Sequence, residues 1–173
     1  MLIGVVILGL LIGSFVNAVV WRIHEKASSV ERLANNKSPK SKIENRNLSI
    51  TQGRSMCPDC RHQLEAIDLV PVFSWLILGG KCSYCKKPIS IQYPVIELLT
   101  AALFGLTFYT LNAPSYTLIF WFYILTVLMI LAIYDLRWML LPDVVLLPAI
   151  VVTVAFLLIA FITHQPTSTL TGP

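Results

Sequence analysis

Hydrophobic positions gather into four long blocks along the chain, separated by short polar breaks and one long one. The first block runs from Met1 to about Val20 and the second from about Tyr93 to Leu111. The third runs from about Thr117 to Tyr134 and the fourth from about Val144 to Thr163. Each approaches the ~20 mostly apolar residues that an α-helix needs to cross a hydrocarbon core. A helix satisfies its own backbone N–H and C=O groups in lipid, so such runs predict spanning helices. The pattern therefore predicts an all-α polytopic membrane protein with about four transmembrane helices. Composition agrees: 56% of the 173 residues are hydrophobic and the mean hydropathy is +0.74, which is too apolar for an ordinary soluble domain. The first block is read as an uncleaved span. It has no basic stretch ahead of it and no clear small-x-small cleavage site, and positive charges follow it.

Charge supplies an orientation. The formal net charge of +4 hides a strong asymmetry. Every Lys and Arg except Arg137 lies between the first and second blocks, and Arg137 lies between the third and fourth. The positive-inside rule places both of these loops in the cytoplasm. Arg22 and Lys26 beside span one, and Lys86 and Lys87 beside span two, carry that assignment despite the length of the loop. The uncharged "NAPSY" connection (Asn112 to Tyr116) and both termini then fall outside. These charges are read as orienting ones, and no nucleic-acid partner is expected.

The long polar break divides in two. Residues 22–54 are rich in Ser, Asn and Lys and read as a flexible cytoplasmic insertion. Residues 55–90 differ: Cys57 and Cys60 form one CxxC pair and Cys82 and Cys85 another, with 21 residues between them. Pro58 and Ser83 sit inside tight knuckles that aim paired thiolates at one point. Gly79 and Gly80 let the chain turn before the second knuckle. Two such pairs suit a tetrahedral Zn²⁺ site. A pair of disulfides is the competing reading, but it requires an oxidising compartment, whereas the charge pattern puts this loop in a reducing one. No βαβ pattern flanks either pair, which speaks against a thioredoxin-like redox role. Four cysteine ligands leave no open position for water, so the expected Zn²⁺ is structural. His62 reads as a surface residue. The stretch between the knuckles, "DLVPVFSWLILGG", is apolar enough to form a hairpin core or to lie against the membrane surface. Asp68 and Trp75 are expected to pack on the ribbon, without a catalytic role.

The third span ends in "ILAIYDLRWMLLPDVVLLP". Asp135 falls at its cytoplasmic end and Asp143 at the start of the fourth span. Ionisable residues at such places are costly unless paired or used. Asp143, just after Pro142, reads as an N-cap. Asp135 has a structural reading as the partner of Arg137. It also has a functional one, since a carboxylate in a partly apolar setting can handle protons. Aspartic peptidase chemistry needs two carboxylates sharing a proton.

Three segments, in order, give the chain a family resemblance. "GSFVNAVVWRI" (Gly13 to Ile23) resembles the first-span signature of the type IV prepilin peptidases, aspartic-type intramembrane peptidases also called leader peptidases. "CPDC…DLVPVFSW…GGKCSYC…ISIQYPVIELLTA" resembles their cytoplasmic cysteine domain and the start of span two. "DLRWMLLPD" resembles the motif that bears the first catalytic aspartate. The resemblance covers nearly the whole chain. It implies an endopeptidase of the bacterial inner membrane that removes the short basic leader of prepilins and pseudopilins, cutting after a glycine on the cytoplasmic side. Many such enzymes also methylate the new N-terminus with S-adenosylmethionine, although no glycine-rich cofactor motif marks that activity here. Carried over residue by residue, the resemblance makes Asp135 the first catalytic aspartate. It makes Cys57, Cys60, Cys82 and Cys85 the cysteine tetrad and gives Asp143 no catalytic role. Residues 1–21 are then span one, and 91–173 hold spans two to four, the start of the peptidase domain.

The sequence departs from the family in one large respect. The second catalytic aspartate sits in a Gly-x-Gly-Asp motif on a later span, and these 173 residues contain no such motif. The expectation is a truncated chain, inactive alone, whose partners are the bilayer, the pilin precursor and a missing C-terminal half with the second aspartate. Two alternatives stay open: a non-catalytic membrane adaptor with a zinc-stabilised docking loop, and a methyltransferase-like remnant of the family.

Overall fold

The computed structural model describes residues 1–34, 57, 59–60, 62–111 and 114–163. Four long helices carry the fold: α1 (Leu2–Ala34), α3 (Gln92–Leu111), α4 (Ser115–Trp138) and α5 (Asp143–Thr163). A short helix, α2 (Phe73–Ile77), lies in the cysteine loop, preceded by a 3₁₀ turn over Ala66–Leu69. All four long helices are long and apolar enough to cross a membrane. Among the described residues no strand forms, and Lys81 and Pro88 form an isolated antiparallel bridge.

The helix bounds follow the hydrophobic blocks, with two differences at the ends. α1 continues past Val20 to Ala34, so the first part of the expected insertion is helical; residues 35–54 lie outside the described ones. Asp143 is the first residue of α5, with the carbonyl of Pro142 accepting from Val145 and Leu146 N–H. Pro142 thus stands where the cap was expected. Asp143 instead places a negative charge in the first turn, which the helix dipole favours. The other end of the α4–α5 connection closes on Met139. It adopts a left-handed conformation (φ 53°) and donates its N–H to the Asp135 carbonyl at 2.7 Å. The expected tail 164–173 and the tip of the "NAPSY" connection lie outside the described residues.

Polar groups inside the spans are satisfied locally. The hydroxyls of Thr100, Thr126 and Thr153 donate to the carbonyls four residues earlier at 2.7–2.8 Å. In lipid such a bond spares an otherwise unpartnered hydroxyl. Pro148 sits inside α5, where a membrane helix tolerates it.

Tertiary packing starts from the α1–α3 pair. Lipid offers no hydrophobic drive for helix association, so small residues that let backbones touch decide which faces meet. Gly9 and Gly13 supply such a face. A Cβ on Gly9 would stand 2.6 Å from the Ala101 Cα, and one on Gly13 2.7 Å from the Glu97 Cα. One turn further, Asn17 donates to the Tyr93 carbonyl at 3.2 Å. Below this seam Val16, Val19, Val20 and Ile23 pack with Ile96 of α3 and with Met129, Ile130, Ile133 and Tyr134 of α4. Aromatic pairs extend the contacts. Phe104 stacks on Phe122 at 4.5 Å, His24 on Trp138 at 3.9 Å, and Phe120 on Phe156 at 3.7 Å. α5 is the peripheral helix: Ala149 is its one buried residue.

The seam gives a clean comparison. Gly9→Ala and Gly13→Ala each force a methyl into backbone and should lower stability by about 1–3 kcal/mol. Gly4→Ala, on the same helix with nothing within 4 Å, should be neutral or gain up to about 1 kcal/mol from reduced backbone entropy. Thermal unfolding of the detergent-purified chain measures all three. Equal midpoints would show that α1 and α3 do not touch there.

Candidate metal centre and adjoining cleft

The cysteine loop folds as two knuckles that face one another. In the first, Cys57 N–H donates to the His62 carbonyl at 3.0 Å. In the second, Cys82 N–H donates to the Lys87 carbonyl at 2.9 Å and Lys86 N–H to the Cys82 carbonyl at 3.1 Å. Lys86 takes a positive φ of 59° to close that turn. Across the knuckles Lys87 Nζ meets Asp59 Oδ1 at 2.7 Å, an exposed pair that contributes little by itself. His62 and Tyr84 stack at 3.7 Å.

The turns converge the thiols. The Sγ atoms of Cys57, Cys60, Cys82 and Cys85 all lie within 4.8 Å of one another, an arrangement that can hold a metal ion. Cys57 and Cys85 sulfurs stand 3.9 Å apart. Sulfurs around a tetrahedral Zn²⁺ with bonds of about 2.3 Å are separated by about 3.8 Å, so the spacing fits. All four thiols are free of disulfides. Their acidities differ by environment. Burial pushes the Cys57 thiol up to about 11. Burial acts on Cys82 in the same direction, but the N–H groups of Cys85 and Tyr84 and the nearby thiols outweigh it and bring Cys82 down to about 7.

The segment between the knuckles is tied to both neighbours. Asp68 accepts from the Ser83 hydroxyl at 2.6 Å and from Glu65 N–H at 3.2 Å, which fixes the 3₁₀ turn to the second knuckle. Trp75 Nε1 donates to the Ile89 carbonyl at 3.2 Å. Gly80 (φ 67°) lies under the Trp75 ring, where a Cβ would stand 2.9 Å from Cζ2. Asp68 and Trp75 thus brace the loop, as their place in the sequence suggests. Pro71, Val72 and Phe73 form a γ-turn: Phe73 N–H donates to the Pro71 carbonyl at 2.6 Å, and Val72 sits at φ 61° and ψ −49°. That conformation is strained for a β-branched residue. What holds it is Glu97 of α3, whose Oε2 accepts the Val72 N–H at 2.7 Å. Glu97 is buried, and Ser14 of α1 is a second hydrogen-bonding partner.

Sequence reasoning passed over Glu97 and Asn17. The available signal was an acid inside an apolar span, which is costly unless it is used. Both line a cleft of about 710 Å³ between α1, α3 and the cysteine loop, together with Trp21, Trp75, Cys82 and Arg137. That volume lies within the range of small-molecule sites. Asp135 and Asp143 are exposed and stand at opposite ends of the α4–α5 connection, and neither lines the cleft. Arg137 does not serve as the partner of Asp135: its Nε donates to Gln92 Oε1 at 2.9 Å, and its guanidinium lies 5.6 Å over the Trp138 ring.

Four helices long and apolar enough to span a membrane, with a four-cysteine cluster that can hold a metal ion in the loop between the first two, define a multi-pass membrane protein. Residues 7–111 match the family described as the Bacterial Peptidase A24 N-terminal domain, and the chain belongs to that family. It is 42% identical over 103 residues to the Prepilin leader peptidase/N-methyltransferase of Neisseria gonorrhoeae, covering 58% of this chain and 36% of that protein. It is 37% identical over 153 residues to the protein of the same name from Pseudomonas aeruginosa, covering 83% and 50%. A third relative, the Type 4 prepilin-like proteins leader peptide-processing enzyme of Escherichia coli, is 42% identical over 98 residues, covering 56% and 35%. The chain thus spans about half the length, or less, of these curated relatives. No solved structure matches it.

The two glycines ahead of the second knuckle separate backbone strain from steric clash. Gly79→Ala should cost about 1–2 kcal/mol for holding alanine at positive φ, since nothing lies near its Cβ position. Gly80→Ala should cost about 1–3 kcal/mol more, because the methyl also meets the Trp75 ring. Rates of protease nicking between residues 69 and 80 would rank the variants. A Gly80→Ala chain as resistant as Gly79→Ala would mean that Trp75 does not cover Gly80.

Proposed function

We propose that this chain is the N-terminal part of a prepilin leader peptidase, with the cysteine loop and Asp135 on the cytoplasmic face of the bacterial inner membrane. The observation that carries the reading is the family match over residues 7–111, joined to relatives whose names state leader-peptide processing. The distribution of Lys and Arg supports the sidedness. The substrates are then prepilins or pseudopilins, whose leader is basic and whose cleavage point adjoins an apolar helix.

In this reading Asp135 is one carboxylate of an aspartic dyad. One carboxylate takes a proton from water while the other polarises the scissile carbonyl. The second is supplied by a polypeptide segment that carries it in a Gly-x-Gly-Asp motif, absent from these 173 residues. The exposed position of Asp135 at the end of α4 leaves it open to such a segment. The four cysteines hold one structural Zn²⁺, consistent with an all-thiol set and a sulfur spacing near that of a tetrahedron. The relatives' second activity calls for a methyl donor, S-adenosylmethionine, which would supply an electrophilic methyl group when bound. The cleft suits it in volume. The Trp21 and Trp75 rings offer flat apolar walls, and Glu97 and Arg137 offer a carboxyl and a guanidinium group for its polar ends.

Zinc analysis of the purified chain should give about one ion per molecule, falling to a small fraction in Cys57→Ser or Cys82→Ser. Two disulfides in protein taken from intact cells would contradict the metal assignment.

Cleavage of a pilin precursor in membranes tests the catalytic assignment, using this chain joined to a segment bearing the Gly-x-Gly-Asp motif. Asp135→Asn should remove activity by several orders of magnitude, as loss of one member of a concerted unit does. Asp143→Asn should retain substantial activity. If the 173-residue chain cleaves alone and Asp143→Asn abolishes that cleavage, Asp135 and Asp143 form the dyad instead. Zinc uptake without any cleavage in the joined protein would favour a docking adaptor.

A further inference from the structure

The cysteine loop is not detached from the spans, and its outer face is strongly apolar. α2 has two sides. Ser74, Trp75 and Leu78 line the cleft. Phe73, Leu76 and Ile77, at helical spacing on the other side, are 61%, 61% and 83% exposed. Ile67 and Val70, 74% and 41% exposed, add to the exposed apolar side chains of this loop. Residues 69–80 contain no charged side chain. A contiguous surface of this kind marks contact with lipid or with another protein.

The hydrogen bond from Val72 to Glu97 decides between them. Glu97 lies five residues into α3, or about 7.5 Å along its axis from Gln92 at 1.5 Å per residue. The Val72 backbone is within 2.7 Å of that carboxylate, so the γ-turn sits alongside the span, below its first turn. Phe73 follows directly, with the rest of the α2 outer face. Irregular backbone at such depth is tolerated only where protein satisfies it. Here Glu97 takes the Val72 N–H, Pro71 the Phe73 N–H and Val70 the Ser74 N–H.

We propose that residues 67–77 form an interfacial wedge, with Phe73, Leu76 and Ile77 inserted among the lipids of the leaflet on the cysteine-loop side. The occupant of the exposed face is the boundary between headgroups and acyl chains, where short amphipathic helices place their apolar side. The wedge fixes the height of the metal-binding knuckles at the membrane surface, and it closes the outer wall of the cleft with residues that water does not reach.

The test is photocrosslinking of the full chain in nanodiscs of phosphatidylethanolamine and phosphatidylglycerol. p-Benzoylphenylalanine is introduced singly at Phe73, at Ile77 and at Leu157, an exposed position on α5 that serves as the lipid-facing reference. Retained metal content shows that each variant is folded. Intact mass should show phospholipid adducts at positions 73 and 77 in yields comparable to position 157. Crosslinked dimers at 73 and 77, or no adduct there while position 157 gives lipid, would overturn the proposal. A crosslink to a further polypeptide in native membranes, in place of lipid, would overturn it equally.

Discussion

The close approach of α1 and α3 is the constraint on which the rest depends. Gly9 and Gly13 let one backbone meet the other at Ala101 and Glu97. That contact sets the height of Glu97 relative to Ser14 and Asn17. Glu97 in turn holds Val72 in a conformation that a β-branched residue does not adopt unaided. From Val72 the chain runs on to Trp75, Gly80 and the second knuckle, each fixed by a bond or a ring contact. Two small residues in a membrane helix thus determine where a four-thiol cluster stands.

The loop is too small to build a core of its own. Its buried side chains are few, with Cys57 and Cys82 among them, and its outward apolar residues are exposed. Small folds of this kind need a staple, and a metal held by paired cysteines provides one. The spans supply the other fastening through Glu97. The second knuckle leads directly into α3, and the cleft lies between α1, α3 and the cysteine loop.

Much of this was legible in the sequence. The four blocks of hydrophobic residues predicted the four spans to within a few residues at most ends, because membrane helices have to be long and apolar regardless of their neighbours. The paired CxxC spacing predicted the convergence of four thiols, because knuckle turns are local. Three features were not legible. The continuation of α1 to Ala34 runs through a polar stretch with no apolar block to announce it. The cap expected at Asp143 fell to Pro142, a shift of one residue that sequence cannot resolve. The role of Glu97 depends on a turn 25 residues away in sequence that meets it only through tertiary packing. Pairing of Asp135 with Arg137 was the natural local guess, but Arg137 reaches Gln92 on another helix.

The claim that the cysteine loop and the spans form one structure rests on a single amide. In the full chain reconstituted in lipid, hydrogen exchange at Val72 N–H should be slow. Glu97→Leu should accelerate it by up to roughly one order of magnitude, as loss of a hydrogen bond of about 0.5–1.5 kcal/mol implies. Rapid exchange at Val72 in the unaltered chain, unchanged by Glu97→Leu, would show that the loop hangs free of the membrane helices.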